Sequence, residues 1–350
     1  MDKPSTKSPK SARADGPRPV SLALQGGGAH GAFEWGVIDR LLERQAIEIT
    51  AISAASAGAM NAVAVTAGLI EGGPEGGRAK LEQFWKAVSR SGGGQMLGSN
   101  FLGSFGAGWM ESNPAYRYFE SLSAAVSPYD FNPLNYNPLR DILQSQIDFA
   151  AIREHSPVEL FISATAVRTC EAKVFNAHEL TADHIMASAC LPAMFHAVTI
   201  DGEAYWDGGY LGNPPIWPLA ECKARDVLLV MLNPFEAKKT PKSASEITDR
   251  VDEITFNAPL VAELRVIAAV HALVKKGGLK VGPGYQLLRF HMIDADGRLN
   301  DLKLSSKLNV DWNFLNDLKA RGRDAADDWL ASDYAQVGEA STVGLFKALL

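Results

Sequence analysis

Two turns rich in small residues, Gln25-Gly26-Gly27-Gly28-Ala29-His30-Gly31 and Ala54-Ala55-Ser56-Ala57-Gly58, each separate a strand-like run from a helical run. Residues 20–24 are a short apolar stretch ending at the glycines, and Phe33, Val37, Leu41 and Leu42 then recur at helical spacing. The same pattern repeats at once: residues 47–52 read as a second strand and 57–69 as a helix of small residues able to pack closely on a sheet. Strands alternating with helices imply an α/β fold with a parallel sheet.

The chemistry offered by the two turns differs. Gly26, Gly27 and Gly28 leave backbone N–H groups uncovered by side chains, which suits them to hold a developing negative oxygen. In the second turn, Ala54 and Gly58 flank Ser56 at the positions where a nucleophile elbow needs small residues, because its strained turn brings backbones together. Ser53, the competing hydroxyl, falls inside the predicted strand. The first turn also satisfies G-x-G-x-x-G through Gly26, Gly28 and Gly31, with Glu48 about twenty residues on, so an NAD(P)-dependent oxidoreductase is the rival reading. The serine elbow, standing after the second strand where a ribose-binding acid is expected, favours acyl transfer.

A serine nucleophile needs a base. The seven histidines, at 30, 155, 178, 184, 196, 271 and 291, fall in no suggestive local motif, and His196 is expected to be a packed or hydrogen-bonded residue. Asp207 is the better candidate, because Gly208 and Gly209 directly after it let the chain turn and leave the carboxylate approachable. An ordinary aspartate, with a pKa of about 3.9, is a weak base for a hydroxyl. Burial beside apolar groups would raise it.

With 350 residues, 47% hydrophobic and 21% charged, the chain can bury a sizeable core, and its net charge of −6 argues against a dedicated nucleic-acid binder. Cys170, Cys190 and Cys222 form neither a disulfide framework nor a zinc motif, which fits a reducing, cytoplasmic setting. No apolar run of about 18 residues and no signal-peptide core is visible. Residues 1–18 are expected to be a disordered polar tail, 19–234 the catalytic domain, and 235–350 a mainly helical extension packed on the core. Within the catalytic domain, 71–140 is a glycine-rich insertion around a helix expected at 80–88; an ordinary packed excursion is the favoured reading, and Phe101, Leu102, Phe105, Trp109 and Met110 make a lid the alternative.

Further strands are expected at 158–167, 173–176 and 226–232, a hairpin at 197–206 turning at Asp201-Gly202, and an edge strand at 287–293. Helices are expected at 182–190, capped by Thr181, at 247–274 and at 311–330. In the helix 247–274, the side carrying Leu260, Val261, Leu264, Ile267 and Val270 is expected to be buried against the core or another subunit. Peripheral membrane contact is the alternative.

The glycine loop, the serine elbow and the Asp-Gly-Gly turn, in this order, resemble the patatin-like phospholipases, as do the stretches Ala187-Ser188-Ala189-Cys190-Leu191-Pro192-Ala193 and Tyr210-Leu211-Gly212-Asn213-Pro214-Pro215. The resemblance covers residues 20–234, with a weaker echo in the C-terminal helix. It implies a three-layer α/β/α fold with a mainly parallel sheet and a helical C-terminal extension. It further implies hydrolysis of lipid carboxylic esters, in the manner of a phospholipase A or lysophospholipase, by a Ser-Asp dyad that uses no histidine, metal or organic cofactor. Carried onto this chain, Ser56 is the nucleophile, Asp207 the general base, and the backbone of Gly26, Gly27 and Gly28 the oxyanion hole, with Gly31, Gly58, Gly208 and Gly209 as supporting positions. Two residues depart from the pattern: Ala54 replaces the first glycine of the elbow, and His30 stands where a lysine or arginine is frequent. A weakly active lipid-binding or regulatory protein on the same fold remains the alternative.

Overall fold

The structure, a computed structural model, describes residues 16–92, 126–237, 239–280, 282, 285–295, 297–299, 302 and 304–343. Its first two units are those expected: β1 (Arg18–Leu24) and α1 (Gly31–Glu43), then β2 (Ile47–Ala54) and α2 (Ala57–Gly92). The helices α3 (Pro128–Phe131), α4 (Pro138–Gln146) and α5 (Phe149–His155) lead into β3 (Glu159–Ala166) and β4 (Glu171–Asn176). Next come α6 (Ala182–Ser188), the hairpin β5 (Val198–Ile200) and β6 (Glu203–Asp207), and β7 (Asp226–Met231). The chain ends with α7 (Ala244–Lys275), β8 (Arg289–Asp294) and α8 (Trp312–Ser332).

All eight strands form one sheet in the order β5-β6-β3-β2-β1-β7-β8, with β4 pairing β3. The run β3-β2-β1-β7-β8 is parallel throughout, while β4, β5 and β6 pair antiparallel. Strand order departs in both directions from β1, so the loops after β1, β2 and β7 open onto one crevice at the carboxyl ends of the strands. Alternate residues face opposite layers, as strand periodicity requires. Leu22, Leu24, Leu228 and Val230 join a core with α1, α2 and α8, whereas Ala23, Val227, Leu229 and Met231 join a second core with Leu260, Leu264 and Ile267 of α7. This is the three-layer α/β/α arrangement.

Helices α1 and α8 cross backbone to backbone. A Cβ on Gly36 would lie 2.0 Å from the Lys319 carbonyl oxygen, and one on Gly322 would lie 2.0 Å from that of Phe33. The C-terminal region is therefore integral to the core. It also supplies β8, paired in parallel register with β7 from Asp226↔Arg289 to Met231↔Asp294, so residue 234 marks no break in the sheet.

The first part of the glycine-rich insertion is core. Gly72 and Gly73 interrupt α2, Gly73 at φ 62°, and the helix resumes with Pro74 in its first turn and Leu81, Phe84 and Trp85 buried. The aromatic cluster from Phe101 to Met110 lies outside the described residues. Asp201 and Gly202 both adopt positive φ, 51° and 82°, the geometry that a tight hairpin turn between β5 and β6 needs.

Candidate active site

Ser56 sits between the end of β2 and the first turn of α2 with φ 52°, a left-handed conformation uncommon for serine and costing about 1 kcal/mol or more. Its surroundings hold it there. The Ser56 N–H donates to Ser188 Oγ at 3.0 Å, and a Cβ on Gly58 would come within 2.6 Å of the Leu24 carbonyl oxygen. Ala54 lies inside β2 in ordinary strand geometry, so the first position of this elbow makes no demand for glycine. Ser53 is buried in the same strand and bonds the Pro215 carbonyl.

Asp207 ends β6 and is completely buried. Its N–H donates to the Cys190 carbonyl at 2.8 Å, its own carbonyl accepts from Thr165 Oγ1 at 2.8 Å, and its Oδ1 accepts from the Gly209 N–H at 2.7 Å. The other carboxylate oxygen, Oδ2, is buried and has no hydrogen-bond partner of ordinary geometry among the described residues. Burial raises the pKa from 3.8 to about 6, and the Gly209 N–H, the nearby Ser56 side chain and the charge of Lys307 each oppose that rise. A buried carboxylate with a free oxygen beside a serine is poised to accept a proton near neutrality.

The loop after β1 lies against the Ser56 turn. A Cβ on Gly26 would be 2.7 Å from Ser56 Cβ, and a Cβ on Gly31 would be 2.8 Å from Ala57 Cβ. The three N–H groups expected to form an oxyanion hole are not equivalent. That of Gly26 donates to Asn213 Oδ1 at 2.6 Å, whereas those of Gly27 and Gly28 make no hydrogen bond among the described residues. Gly28 has φ 57° and meets the Lys307 carbonyl oxygen, which would lie 2.4 Å from an added Cβ.

Residues 22–220 match the patatin-like phospholipase family. The chain belongs to that family. Membership supports lipid hydrolysis as the class of activity. No curated protein matches the chain. Among solved structures, VipD from Legionella pneumophila is similar at 16% identity over 87% of this chain and 67% of its own, with a TM-score of 0.38. A chain of the ExoU–SpcU complex from the type III secretion system of Pseudomonas aeruginosa is similar at 15% identity, over 92% of this chain and 59% of that one, with a TM-score of 0.28.

Within this patatin-like domain, the conspicuous text around residues 187–193 has a mechanical role. Ser188 holds the Ser56 backbone and Cys190 holds that of Asp207, so one short segment at the end of α6 fixes the two candidate catalytic groups together. Gly208 closes the other side, since a Cβ there would meet the Ser163 carbonyl oxygen at 2.2 Å. Gly209 is covered by the Phe256 ring of α7, 2.5 Å from an added Cβ.

Four residues at the site carried no sequence signal strong enough to be chosen. Gln25 is fully buried, accepts from the N–H groups of Leu232 and Asn233 at 2.8 and 3.0 Å, and donates to Asn257 Oδ1 at 2.9 Å. It thereby ties β1 to the end of β7 and to α7. Asn213 pins Gly26. Ser188 pins Ser56. Lys307, from a 3-10 turn at Leu304–Leu308, donates from Nζ to Asn233 Oδ1 at 2.9 Å, and its neighbour Ser306 bonds His30 Nε2 at 2.7 Å. A cation missing from the glycine loop is thus supplied by a residue distant in sequence.

Three other histidines serve elsewhere. His196 stacks on Tyr129 at 4.0 Å, as expected of a packed residue, and His184 closes a capping box with Thr181. His291 bonds Asp226 at 2.9 Å, but Asp226 opens β7, at the end of the sheet opposite Ser56. Glu48, the acid that a dinucleotide site would use, is exposed near the start of β2, also at the wrong end. Two open polar clefts, one around Lys80 and Gln146 and one around Glu43 and Arg323, include neither Ser56 nor Asp207.

Proposed function

We propose that this chain hydrolyses lipid carboxylic esters through Ser56 and Asp207. Asp207 accepts the Ser56 proton on its free oxygen as Oγ attacks the ester carbonyl, and the alcohol leaves with a proton returned from Asp207. Water then attacks the acyl-serine and gives its proton to Asp207, which returns it to Ser56 Oγ as the fatty acid is released. The N–H groups of Gly27 and Gly28 hold the oxyanion, and the N-terminal end of α2 adds a favourable dipole. Gly26, whose N–H is engaged by Asn213, serves instead as the contact surface that lets the loop approach Ser56.

The observation that carries this reading is the buried Asp207 carboxylate, one oxygen without a partner, next to a serine in left-handed geometry. Ser56→Ala and Asp207→Asn should each abolish turnover of a short-chain p-nitrophenyl ester and release of fatty acid from phospholipid. A fluorophosphonate probe should label Ser56. Full activity of either variant, or labelling at another serine, sinks the dyad, and acyl-lipid binding without turnover or label assigns the domain a regulatory role instead.

A further inference from the structure

Helix α7 is apolar on two opposite sides. Leu260, Leu264 and Ile267 on the inner side pack on the sheet, and Asn257 there bonds Gln25. On the outer side Ile247, Val251, Ile254, Val266 and Leu273 are 47 to 63% exposed, and the steps between them, with alanines at the intervening positions, follow the three-and-four spacing of one helix face. The ridge runs about 40 Å at 1.5 Å per residue. By length and composition Glu246–Lys275 could cross a membrane, but its inner side is occupied by the sheet, so it lies along the domain surface.

The charges around this ridge are sorted. Glu253 pairs with Arg250, Glu263 accepts from the N–H groups of Ile216 and Trp217, and Asp249 and Asp252 act on Lys307, all away from the outer face. The one charged residue in line with the ridge is Arg265, and exposed lysines stand at both ends, Lys242 before it, next to the exposed helix-capping Glu246, and Lys275, Lys276 and Lys280 after it. Trp217, held to α7 through Glu263, is 59% exposed. A convex apolar ridge free of acids, with cations at its ends and a tryptophan beside it, has the chemistry of a helix lying in the plane of an anionic bilayer.

We propose that the outer face of α7 docks this domain on an anionic lipid surface. The same helix presents Phe256 to Gly209 and Tyr210, its ring 5.2 Å from that of Tyr210, so docking would hold the Asp207 turn beside the bilayer. The inference rests on the lipid-ester reading of the site for its purpose, but its test does not depend on turnover.

Flotation of the full chain with phosphatidylcholine vesicles, with and without phosphatidylglycerol, tests it. The chain should float with the anionic vesicles, about tenfold less without phosphatidylglycerol, and Val251→Asp/Ile254→Asp and Lys275→Glu/Lys276→Glu should each lose about tenfold or more in binding. Both variants should keep wild-type melting and soluble-ester turnover, since all four side chains are exposed. Undiminished flotation of the apolar variant overturns the proposal, as does a wild-type dimer in sedimentation that this variant dissolves, which would assign the ridge to a second copy. Loss of soluble-ester turnover in the wild type would count against the dyad and leave the flotation result standing.

Discussion

The Gly26 N–H donates a 2.6 Å hydrogen bond to Asn213 Oδ1, joining the loop after β1 to the turn that follows Asp207. Gln25 reinforces the link by donating to the Asn213 carbonyl at 3.4 Å, and Asn213 Nδ2 reaches the Phe256 carbonyl of α7 at 3.3 Å. Fully buried, Asn213 couples the glycine loop, the aspartate turn and the outer helix in one polar network. The glycine loop and the Asp207 turn are therefore tied by one residue.

Replacing Asn213 by alanine leaves the Gly26 N–H buried and unpaired. The cost should be about 1–3 kcal/mol of stability, seen as a lower midpoint in urea, with ester turnover falling further than the lost fraction folded accounts for. Asn213→Ala with wild-type turnover would show that the loop is held without it.

The raised pKa of Asp207 makes stability and activity respond oppositely to pH. Because the folded value of about 6 lies above the ordinary 3.8, ionising the buried carboxyl destabilises the fold above pH 6, and the penalty disappears as pH falls toward 4. Two pKa units correspond to about 3 kcal/mol. Asp207→Asn should thus melt higher than wild type at pH 8 by up to that amount and equally near pH 4, while wild-type kcat/KM falls below pH 6 as one proton is taken up. Calorimetry across this range checks the first expectation and a pH–rate profile the second.

Lys307 favours the ionised form of Asp207 by its charge. In Lys307→Met the acid limb of the kcat/KM profile should move to higher pH, whereas a lysine that only braces the loop through Asn233 would change the plateau and leave the limb in place.

Gly28 combines φ 57° with a carbonyl oxygen 2.4 Å from any added Cβ. Gly28→Ala must therefore shift the loop or the Leu304–Leu308 turn. Losing one oxyanion donor costs about 3 kcal/mol, so turnover should fall roughly a hundredfold or more. Labelling of Ser56 by a fluorophosphonate, followed over time, separates a slow acylation from an unfolded enzyme.

Much of this arrangement was legible in the chain because it is local. The alternation of β1, α1, β2 and α2 follows from side-chain periodicity, and the glycine loop and the Ser56 turn follow from the space that small residues leave around a backbone. The Asp201-Gly202 hairpin was readable for the same reason. After residue 70 the helix expected at 80–88 was legible, but not that it resumes directly after Gly73 and puts Leu81, Phe84 and Trp85 into the main core, because that depends on packing against distant elements. The edge strand expected at 287–293 is β8, but its parallel pairing with β7 was not legible, because that register is set by neighbours distant in sequence.

The sequence by itself singled out the candidate residues: a serine in a turn too tight for large neighbours, an aspartate followed by two glycines, and a loop with bare N–H groups. The tertiary structure alone decided how those groups behave. It engaged the Gly26 N–H with Asn213 while those of Gly27 and Gly28 bond nothing among the described residues, set Ser188 and Cys190 behind the two catalytic candidates, and brought Lys307 to a loop that lacks its own cation. The physical reason is that hydrogen-bond partners and desolvation are properties of neighbours in space. Asp-Gly-Gly specifies a turn, but the pKa of about 6 belongs to the packing that removes water from Asp207.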